Sequence, residues 1–141
     1  MIIVEKDLEK FFNLPYGEQP PSREEWESFY NKEVKFIDPT QEKNGIDAFI
    51  KAQDGLIKRC DDVYLESHSI AINKNTAFVE WTMGLKIKGL EFIYEGTTRL
   101  IFDQEGKIKE HRDYFDFCTG TFGKIPFIGG FFRWLYSRFV D

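Results

Sequence analysis

The second half of the chain contains four successive segments with the composition of β-strands, and this run limits the possible folds more than any other feature. Each segment is rich in β-branched and aromatic residues and is bounded by turn-forming residues, such as Asn73-Lys74-Asn75 and Lys88-Gly89. The connections are too short to contain crossover helices, so neighbouring segments are expected to pair antiparallel. The predicted strands are Val63–Ile72, Thr76–Lys86, Phe92–Phe102 and Ile108–Phe117.

The first half of the chain has mainly helical periodicity. Apolar residues recur at helical spacing from Val4 to Phe12, and Ser22 with Glu25 forms a capping box before a second helix. A short strand is expected to run into Asp38-Pro39, because proline disfavours helix for the residue before it. Asn44 is predicted to cap a third helix. Helices followed by antiparallel strands indicate an α+β fold, in which a cone-shaped, curved antiparallel sheet wraps around the N-terminal helices.

Length and composition favour one domain with an apolar cavity or interface. A chain of 141 residues can bury a core of its own without disulfides or metals. Aromatic residues make up 17% of the sequence, and this excess suggests a large apolar cavity, an adhesive surface, or both. We therefore expect a domain over residues 1–120, followed by an aromatic tail over residues 121–141.

The charge and the rarer residues exclude several classes of function. The net charge of −5 repels a polyanion, so nucleic acid is not an expected partner. The two histidines and two cysteines form no metal-site spacing, and Cys60 is expected to be buried in the third helix. No phosphate-binding loop or dinucleotide-binding motif is present, so no cofactor is expected. The first residues lack the pattern of a signal peptide, which makes the cytoplasm the expected location.

Alternation along the strands assigns side chains to two faces of the sheet. In the second predicted strand one face carries only apolar residues, and we expect it to be the convex face and to form a homodimer interface. That face holds Ala77, Val79, Trp81 and Met83. The opposite face mixes aromatic and polar residues, as a ligand pocket does. It holds Phe78, Glu80, Thr82 and Gly84, and the last strand offers His111, Asp113 and Phe115 on one face.

This arrangement resembles the SnoaL-like branch of the nuclear-transport-factor-two-like superfamily, which includes ketosteroid isomerases and polyketide cyclases. The resemblance covers roughly residues 5–118. It rests on Asp38-Pro39 before the helix start at Asn44-Gly45, and on four strands ending in the run from Gly106 to Asp116. It implies a cone-shaped α+β barrel with a deep pocket between the curved sheet and the helices.

The resemblance and the assignment of strand faces together indicate the candidate site residues. Asp38 stands where ketosteroid isomerases keep a general base, although an aspartate before proline can also simply cap a turn. Asp113 stands on the last strand, where SnoaL-like cyclases keep an acid–base aspartate. These two are the candidate catalytic residues. Trp26 and Tyr30 are candidates of a type that is more often core than pocket wall. Glu80 could equally lie at the edge of the open mouth, and His111 could equally lie on the surface. The candidate ligand-binding residues are Glu80, Thr82, Tyr94, Thr98, His111, Phe115, Trp26 and Tyr30.

Two kinds of function follow from this interpretation. In the first, the pocket binds a small hydrophobic molecule, either without catalysis or with isomerase or cyclase chemistry in which Asp113 or Asp38 moves a proton and Thr98 or Tyr94 stabilises an oxyanion. In the second, the chain is a non-catalytic dimerisation or scaffold domain whose cone is filled by its own side chains. The volume of the pocket distinguishes the two.

The tail is the remaining feature. Seven aromatic residues lie within residues 122–141, and residues 121–141 carry a net charge of +2, which leaves −7 for residues 1–120. A helix that is apolar on two sides tends to be covered on both. We expect the tail to pack on the domain, on a partner subunit or at a membrane surface.

Overall fold

A computed structural model describes residues 5–16 and 19–140 of the chain. Residues up to Val4 lie outside this part, so the start of the first predicted helix is not covered. The helices are α1 (Glu5–Glu9, continued by a 3-10 turn over Lys10–Phe12), α2 (Arg23–Phe29), α3 (Ile46–Arg59), α4 (Phe117–Phe122) and α5 (Ile128–Val140). The strands are β1 (Tyr30–Asp38), β2 (Gln41–Asn44), β3 (Asp62–Asn73), β4 (Thr76–Ile87), β5 (Leu90–Phe102) and β6 (Ile108–Phe115).

The strands form one curved six-stranded sheet in the order β2-β1-β6-β5-β4-β3. The four predicted strands are β3 to β6, and they pair antiparallel as expected. The β1 strand lies parallel to β6, and a four-residue strand, β2, folds back antiparallel on β1. The chain between β1 and β6 contains β2, α3 and the strands β3 to β5. This connection is long enough for the two strands to run parallel, which a short hairpin turn does not allow. The α+β prediction is confirmed.

Of the two helix caps predicted from the sequence, the one for α2 is confirmed and the one for α3 is not. Ser22 caps α2, since its side chain accepts a hydrogen bond from the amide of Glu25. The prediction that Asn44 caps α3 is wrong. Asn44 ends β2, and Gly45 is the N-cap residue, with a φ of 90° that glycine adopts without steric cost. Cys60 lies just after α3 and is half-buried, so its predicted place inside that helix is also wrong.

The concave face of the sheet packs on the N-terminal helices and forms the core. Ala77, Val79 and Trp81 are buried on this face, with at most 3% of any side chain exposed. The prediction that they form a convex dimer interface is therefore wrong, because the helices of the same chain already cover them. Alternation correctly grouped the side chains, but an apolar strand face points inward when the chain itself supplies the layer that buries it.

The tail begins inside a helix, since residue 120 lies within α4. The α5 helix meets the body mainly through α4, where the rings of Phe122 and Phe132 stack at 5.2 Å. Gly129 is buried against the carbonyl oxygens of Phe122 and Gly123. Most other large side chains of α5 are exposed. The tail is thus a helix docked along one edge, and much of its apolar surface is uncovered within this chain.

The register of β4 and β5 depends on a glycine beside Trp81. A Cβ atom on Gly96 would stand 2.5 Å from Cη2 of Trp81 and 2.7 Å from the Tyr114 carbonyl oxygen. Gly96→Ala should therefore lower the free energy of unfolding by about 1–3 kcal/mol through overpacking. Gly130→Ala is the matched control, since a Cβ there meets nothing within 4 Å. Equal midpoints for both variants in urea denaturation would contradict this packing argument.

Candidate functional site: a carboxylate in an aromatic cavity

A cavity of about 360 Å³ lies between the concave face of the sheet and the helices. Its wall is mostly apolar and aromatic, and its polar groups are few. Such a composition is typical of sites that bind small organic molecules. The aromatic residues that line it are Phe11, Phe12, Trp26, Tyr30, Phe36, Phe49, Trp81, Tyr94, Phe115 and Phe117.

Asp113 is the carboxylate inside this cavity. It lies on β6, and its side chain is 18% exposed. Thr98, directly opposite on β5, is fully buried and donates its hydroxyl proton to Oδ1 of Asp113 at 2.6 Å. The indole N–H of Trp81 donates to the hydroxyl oxygen of Thr98 at 2.8 Å. These hydrogen bonds form a chain from Trp81 on β4 through Thr98 on β5 to Asp113, which we call the first arm.

A second arm reaches the same oxygen from β1. Nε2 of His111 lies 2.9 Å from Oδ1 of Asp113, and Nδ1 lies 3.0 Å from the hydroxyl of Tyr30. Burial raises the pKa of Tyr30 well above its ordinary value, and the charge of Asp113 adds to this rise. The Tyr30 hydroxyl therefore keeps its proton. An ionised Asp113 can only accept, so Nε2 of His111 carries the proton that it donates to Oδ1, and in the neutral imidazole Nδ1 then accepts from Tyr30.

The two arms leave the second carboxylate oxygen unused. Thr98 and His111 both bind Oδ1, and no side chain or amide in the described part of the chain donates to Oδ2. Because Asp113 lines the cavity, Oδ2 is the oxygen available to a bound molecule. Donors fixed on Oδ1 hold the carboxylate in one orientation while its other oxygen stays free to accept a proton or a hydrogen bond.

Asp38 lies at the cavity wall but is engaged in a turn. Its Oδ1 accepts hydrogen bonds from the amide and hydroxyl of Thr40 and from the amide of Gln41. Its Oδ2 accepts one from the side-chain amide of Gln41 at 3.1 Å. Both oxygens are occupied, so the turn-capping interpretation accounts for this residue. The structure brings Asp38 to the same cavity as Asp113 without leaving it a free oxygen.

Tyr94 links the α4 helix to the cavity. It is buried on β5, and its hydroxyl shares a hydrogen bond with Thr121 of α4 at 2.6 Å. Gly120 allows this close approach, since a Cβ there would stand 2.5 Å from the Tyr94 ring. Sequence reasoning predicted Tyr94 but missed α4, because a six-residue helix with one glycine and two threonines has no apolar periodicity.

Glu80 and Thr82 are on the opposite face of the sheet, so the prediction that they line the pocket is wrong. They lie with His68 on the outer surface, where His68 and Thr82 share a hydrogen bond at 2.7 Å. The cause is the same inverted assignment of faces on β4. The other candidates, Trp26, Tyr30, Thr98, His111 and Phe115, all line the cavity, and His111 is buried rather than on the surface.

Several polar residues at the cavity wall were not predicted. Arg59 at the end of α3 lines it, together with Gln53 of α3 and Gln41 of β2. No motif marks them, since an exposed polar residue near a helix end is common in any sequence. They become recognisable only when β2 and α3 are placed beside the cavity. This rim can bind a polar group of a ligand whose larger part is apolar.

The described residues contain no group of side chains suited to hold a metal ion. None of their helices combines the length and the apolar character that crossing a bilayer requires.

The comparisons with known proteins agree with this architecture. The SnoaL-like domain family matches residues 16–111, which is most of the chain. The chain belongs to the SnoaL-like family. No curated protein matches the sequence significantly. Identification of the family confirms the resemblance drawn from the Asp38-Pro39 context and the strand order.

Solved structures show the same fold at low sequence identity. A protein from Jannaschia sp. described as a SnoaL-like polyketide cyclase superimposes with a TM-score of 0.67 at 15% identity, over 82% of this chain and 88% of that one. A protein from Catenulispora acidiphila with a ketosteroid isomerase-like fold, in complex with trimethylamine, gives 0.61 at 15% identity, over 69% and 76%. A protein of unknown function from Exiguobacterium sp., similar to nuclear transport factor two, gives 0.58 at 20%, over 68% and 86%.

The arm through Tyr30 should contribute to stability. Tyr30→Phe leaves Nδ1 of His111 buried without its donor, which should lower the free energy of unfolding by about 1–3 kcal/mol. Tyr114→Phe is the control, because Tyr114 is 46% exposed on the outer face. Urea denaturation at neutral pH measures both. A loss no larger than that of the control would show that the Tyr30 hydroxyl is not a structural donor.

The raised pKa of Tyr30 also predicts a pH dependence. Unfolding returns its pKa to about 10, so the folded state binds the proton more tightly and stability falls as pH rises above that value. Phenylalanine cannot ionise, so the stability difference between wild type and Tyr30→Phe should narrow above about pH 10. Tyr16, whose pKa burial raises to about 12, remains in both proteins and cancels. If the stability difference between wild type and Tyr30→Phe stayed constant from about pH 8 to about pH 11, the raised pKa of Tyr30 would be refuted.

Proposed function

We propose that this SnoaL-like protein binds a small, largely apolar carbonyl compound in the cavity, and that Asp113 moves a proton on the carbon next to the carbonyl. One observation carries this proposal: Asp113 stands in an aromatic cavity with Oδ1 anchored by Thr98 and His111 and with Oδ2 unoccupied by the protein. A fixed carboxylate oxygen beside apolar walls has the geometry of a general base.

The volume of the cavity supports ligand binding over a filled scaffold. Pockets that hold small organic molecules typically enclose about 300–1,000 Å³, and this cavity has about 360 Å³. A cone packed by its own side chains would leave no such space. The size suits a compound of one or two rings, whose apolar surface would lie against residues such as Trp26 and Phe115.

The proposed step uses Oδ2 of Asp113 as the proton acceptor. The C–H bond next to the carbonyl breaks, its electron pair forms a carbon–carbon double bond, and the carbonyl oxygen takes the negative charge as an enolate. Asp113 then returns the proton to the same or another carbon, so the reaction needs no external reagent. His111 and Thr98 act as positioning residues, since they contact the base rather than the reacting atoms.

The enolate oxygen needs a donor, and the structure changes which residue is suited to that role. Thr98 is not free, because its hydroxyl proton is given to Asp113 and its oxygen accepts from Trp81. Tyr94 lines the cavity, and its hydroxyl contacts only Thr121 among the described hydrogen bonds. Because either hydroxyl can be the donor in that pair, Tyr94 can turn its proton to a ligand oxygen, as an oxyanion donor must.

The test is deuterium exchange of an apolar ketone. With 2-tetralone in D2O, wild-type protein should accelerate exchange of the protons next to the carbonyl, followed by NMR. Asp113→Asn keeps an oxygen for Thr98 and His111 but cannot accept a proton, and should reduce the acceleration by roughly 10²-fold or more. Glu80→Gln, a carboxylate change on the outer face, should leave the rate unchanged.

Each outcome decides between the functions. If wild-type and Asp113→Asn proteins accelerate exchange equally, Asp113 is not the base. If wild type binds 2-tetralone without accelerating exchange, the proton-transfer proposal fails, and a non-catalytic binding protein takes its place. In that case Oδ2 would serve as a hydrogen-bond acceptor for a ligand. If no apolar ketone binds at all, the cavity is not a site for this class of compound.

A further inference from the structure

The α5 helix has one side that faces the body and another that does not. On the first side Phe132 stacks on Phe122, and the guanidinium of Arg133 donates to the carbonyl oxygen of Gly123 at 3.2 Å. Gly129 packs against the same turn of chain. These contacts fix the orientation of α5 and so determine which of its side chains point away from the rest of the protein.

Three exposed aromatic residues lie at the start of α5 and along its outer side, and we call Phe127, Phe131 and Trp134 the tail stripe. Phe131 and Trp134 are three residues apart on the helix, which puts them on one side of it, and their ring centres are 6.1 Å apart. Phe127 directly precedes α5, and its carbonyl oxygen accepts a hydrogen bond from the amide of Phe131. Phe127, Phe131 and Trp134 are 94%, 56% and 56% exposed, respectively. Phe139, at the far end of α5, is 83% exposed. A contiguous group of exposed aromatic residues on one helix is unusual for a protein surface that meets only water.

The charged residues of α4, α5 and the segment between them are all basic. Residues 117–140 contain Lys124, Arg133 and Arg138, and the acidic residues Asp116 and Asp141 lie on either side of this range. The guanidinium of Arg138 lies 5.8 Å from the centre of the Trp134 ring, at the end of the stripe. Long cationic side chains beside aromatic rings are typical of helices that lie in a lipid–water interface, where the rings enter the headgroup region and the cations reach the phosphates.

From these features we infer that α5 binds the surface of a membrane that contains anionic lipids, with the tail stripe inserted and Arg138 at the lipid phosphates. This inference is independent of the proposed function. The helix has 13 residues, so it is about 20 Å long and shorter than the apolar core of a bilayer. It would therefore lie along the surface.

A lipid surface suits the tail stripe better than a second copy of the same helix. Residues 121–141 carry a net charge of +2 with Asp141 included, so two copies of α5 packed through their stripes would bring like charges together. Burying like charges without an opposite partner is unfavourable. An anionic headgroup supplies the missing negative charge, so charge complementarity selects the membrane.

The protein contains its own reporter for this test. Trp26 and Trp81 are 5% and 3% exposed, whereas Trp134 is 56% exposed, so a change in tryptophan emission on adding vesicles reports mainly on Trp134. The wild type should show a saturable blue shift with vesicles of phosphatidylcholine mixed with phosphatidylglycerol, and a much weaker one with phosphatidylcholine alone. Added salt should weaken the binding, since it screens Arg138.

Variants test whether the tail stripe, rather than exposed apolar surface in general, binds the vesicles. Phe127→Ser with Phe131→Ser keeps Trp134 and should weaken vesicle binding at least about 10-fold. Arg138→Gln should weaken binding to the mixed vesicles and leave binding to phosphatidylcholine unchanged. Phe78→Ser, which removes a 43% exposed ring on the outer face of the sheet, should bind as the wild type does. Circular dichroism and a thermal unfolding curve check that each variant is folded.

Two results would overturn the inference. One is that the wild type neither cosediments with the mixed vesicles nor changes its emission. The other is a blue shift that depends on protein concentration without vesicles, together with a dimer in sedimentation velocity that the double variant abolishes. That second result would show that another copy of the chain covers the tail stripe.

Discussion

The placement of a carboxylate inside an aromatic cavity is the constraint on which much of this structure depends. A charge removed from water is costly unless donors surround it. Here two donors meet on Oδ1 of Asp113, and each is fixed by another residue behind it. Trp81 fixes Thr98, and Tyr30 fixes His111. These residues come from four strands, so the register of the whole sheet determines the orientation of one side chain.

The hydrogen bonds around Asp113 also explain why a threonine stands at position 98 and a tyrosine at position 30. Thr98 and Asp113 are direct partners across β5 and β6, and Leu100 faces His111 two residue pairs further along. A serine or valine in place of Thr98 would change either the rotamer freedom or the hydrogen bond, since threonine is both branched and a donor. Tyr30 stands where α2 ends and β1 begins, which lets a residue near the helix layer reach the last strand.

The sequence predicted the strands well and their orientation less well. Strand limits in β3 to β6 follow from turn residues and alternation, which are local signals. Alternation also put His111, Asp113 and Phe115 together correctly. It could not tell which face of β4 points inward, because that depends on the helices packed against the sheet. Glu80 was therefore placed in the cavity and Trp81 outside it. Arg59 and Thr121 are not predicted for a related reason, since the place of Arg59 at the cavity and the contact of Thr121 with Tyr94 result only from tertiary packing.

The α4 helix contacts both the cavity wall and the tail, so the two proposed sites are neighbours in the fold although neither proposal rests on the other. Through Thr121 it contacts the hydroxyl of Tyr94 at the cavity, and through Phe122 it carries the ring on which α5 docks. The Tyr94 hydroxyl is the donor best suited to a ligand oxygen, and its partner Thr121 lies on the helix on which α5 docks. Apolar compounds concentrate in lipid, so a binding cavity whose wall is attached to a membrane-binding helix would lie close to its source of ligand.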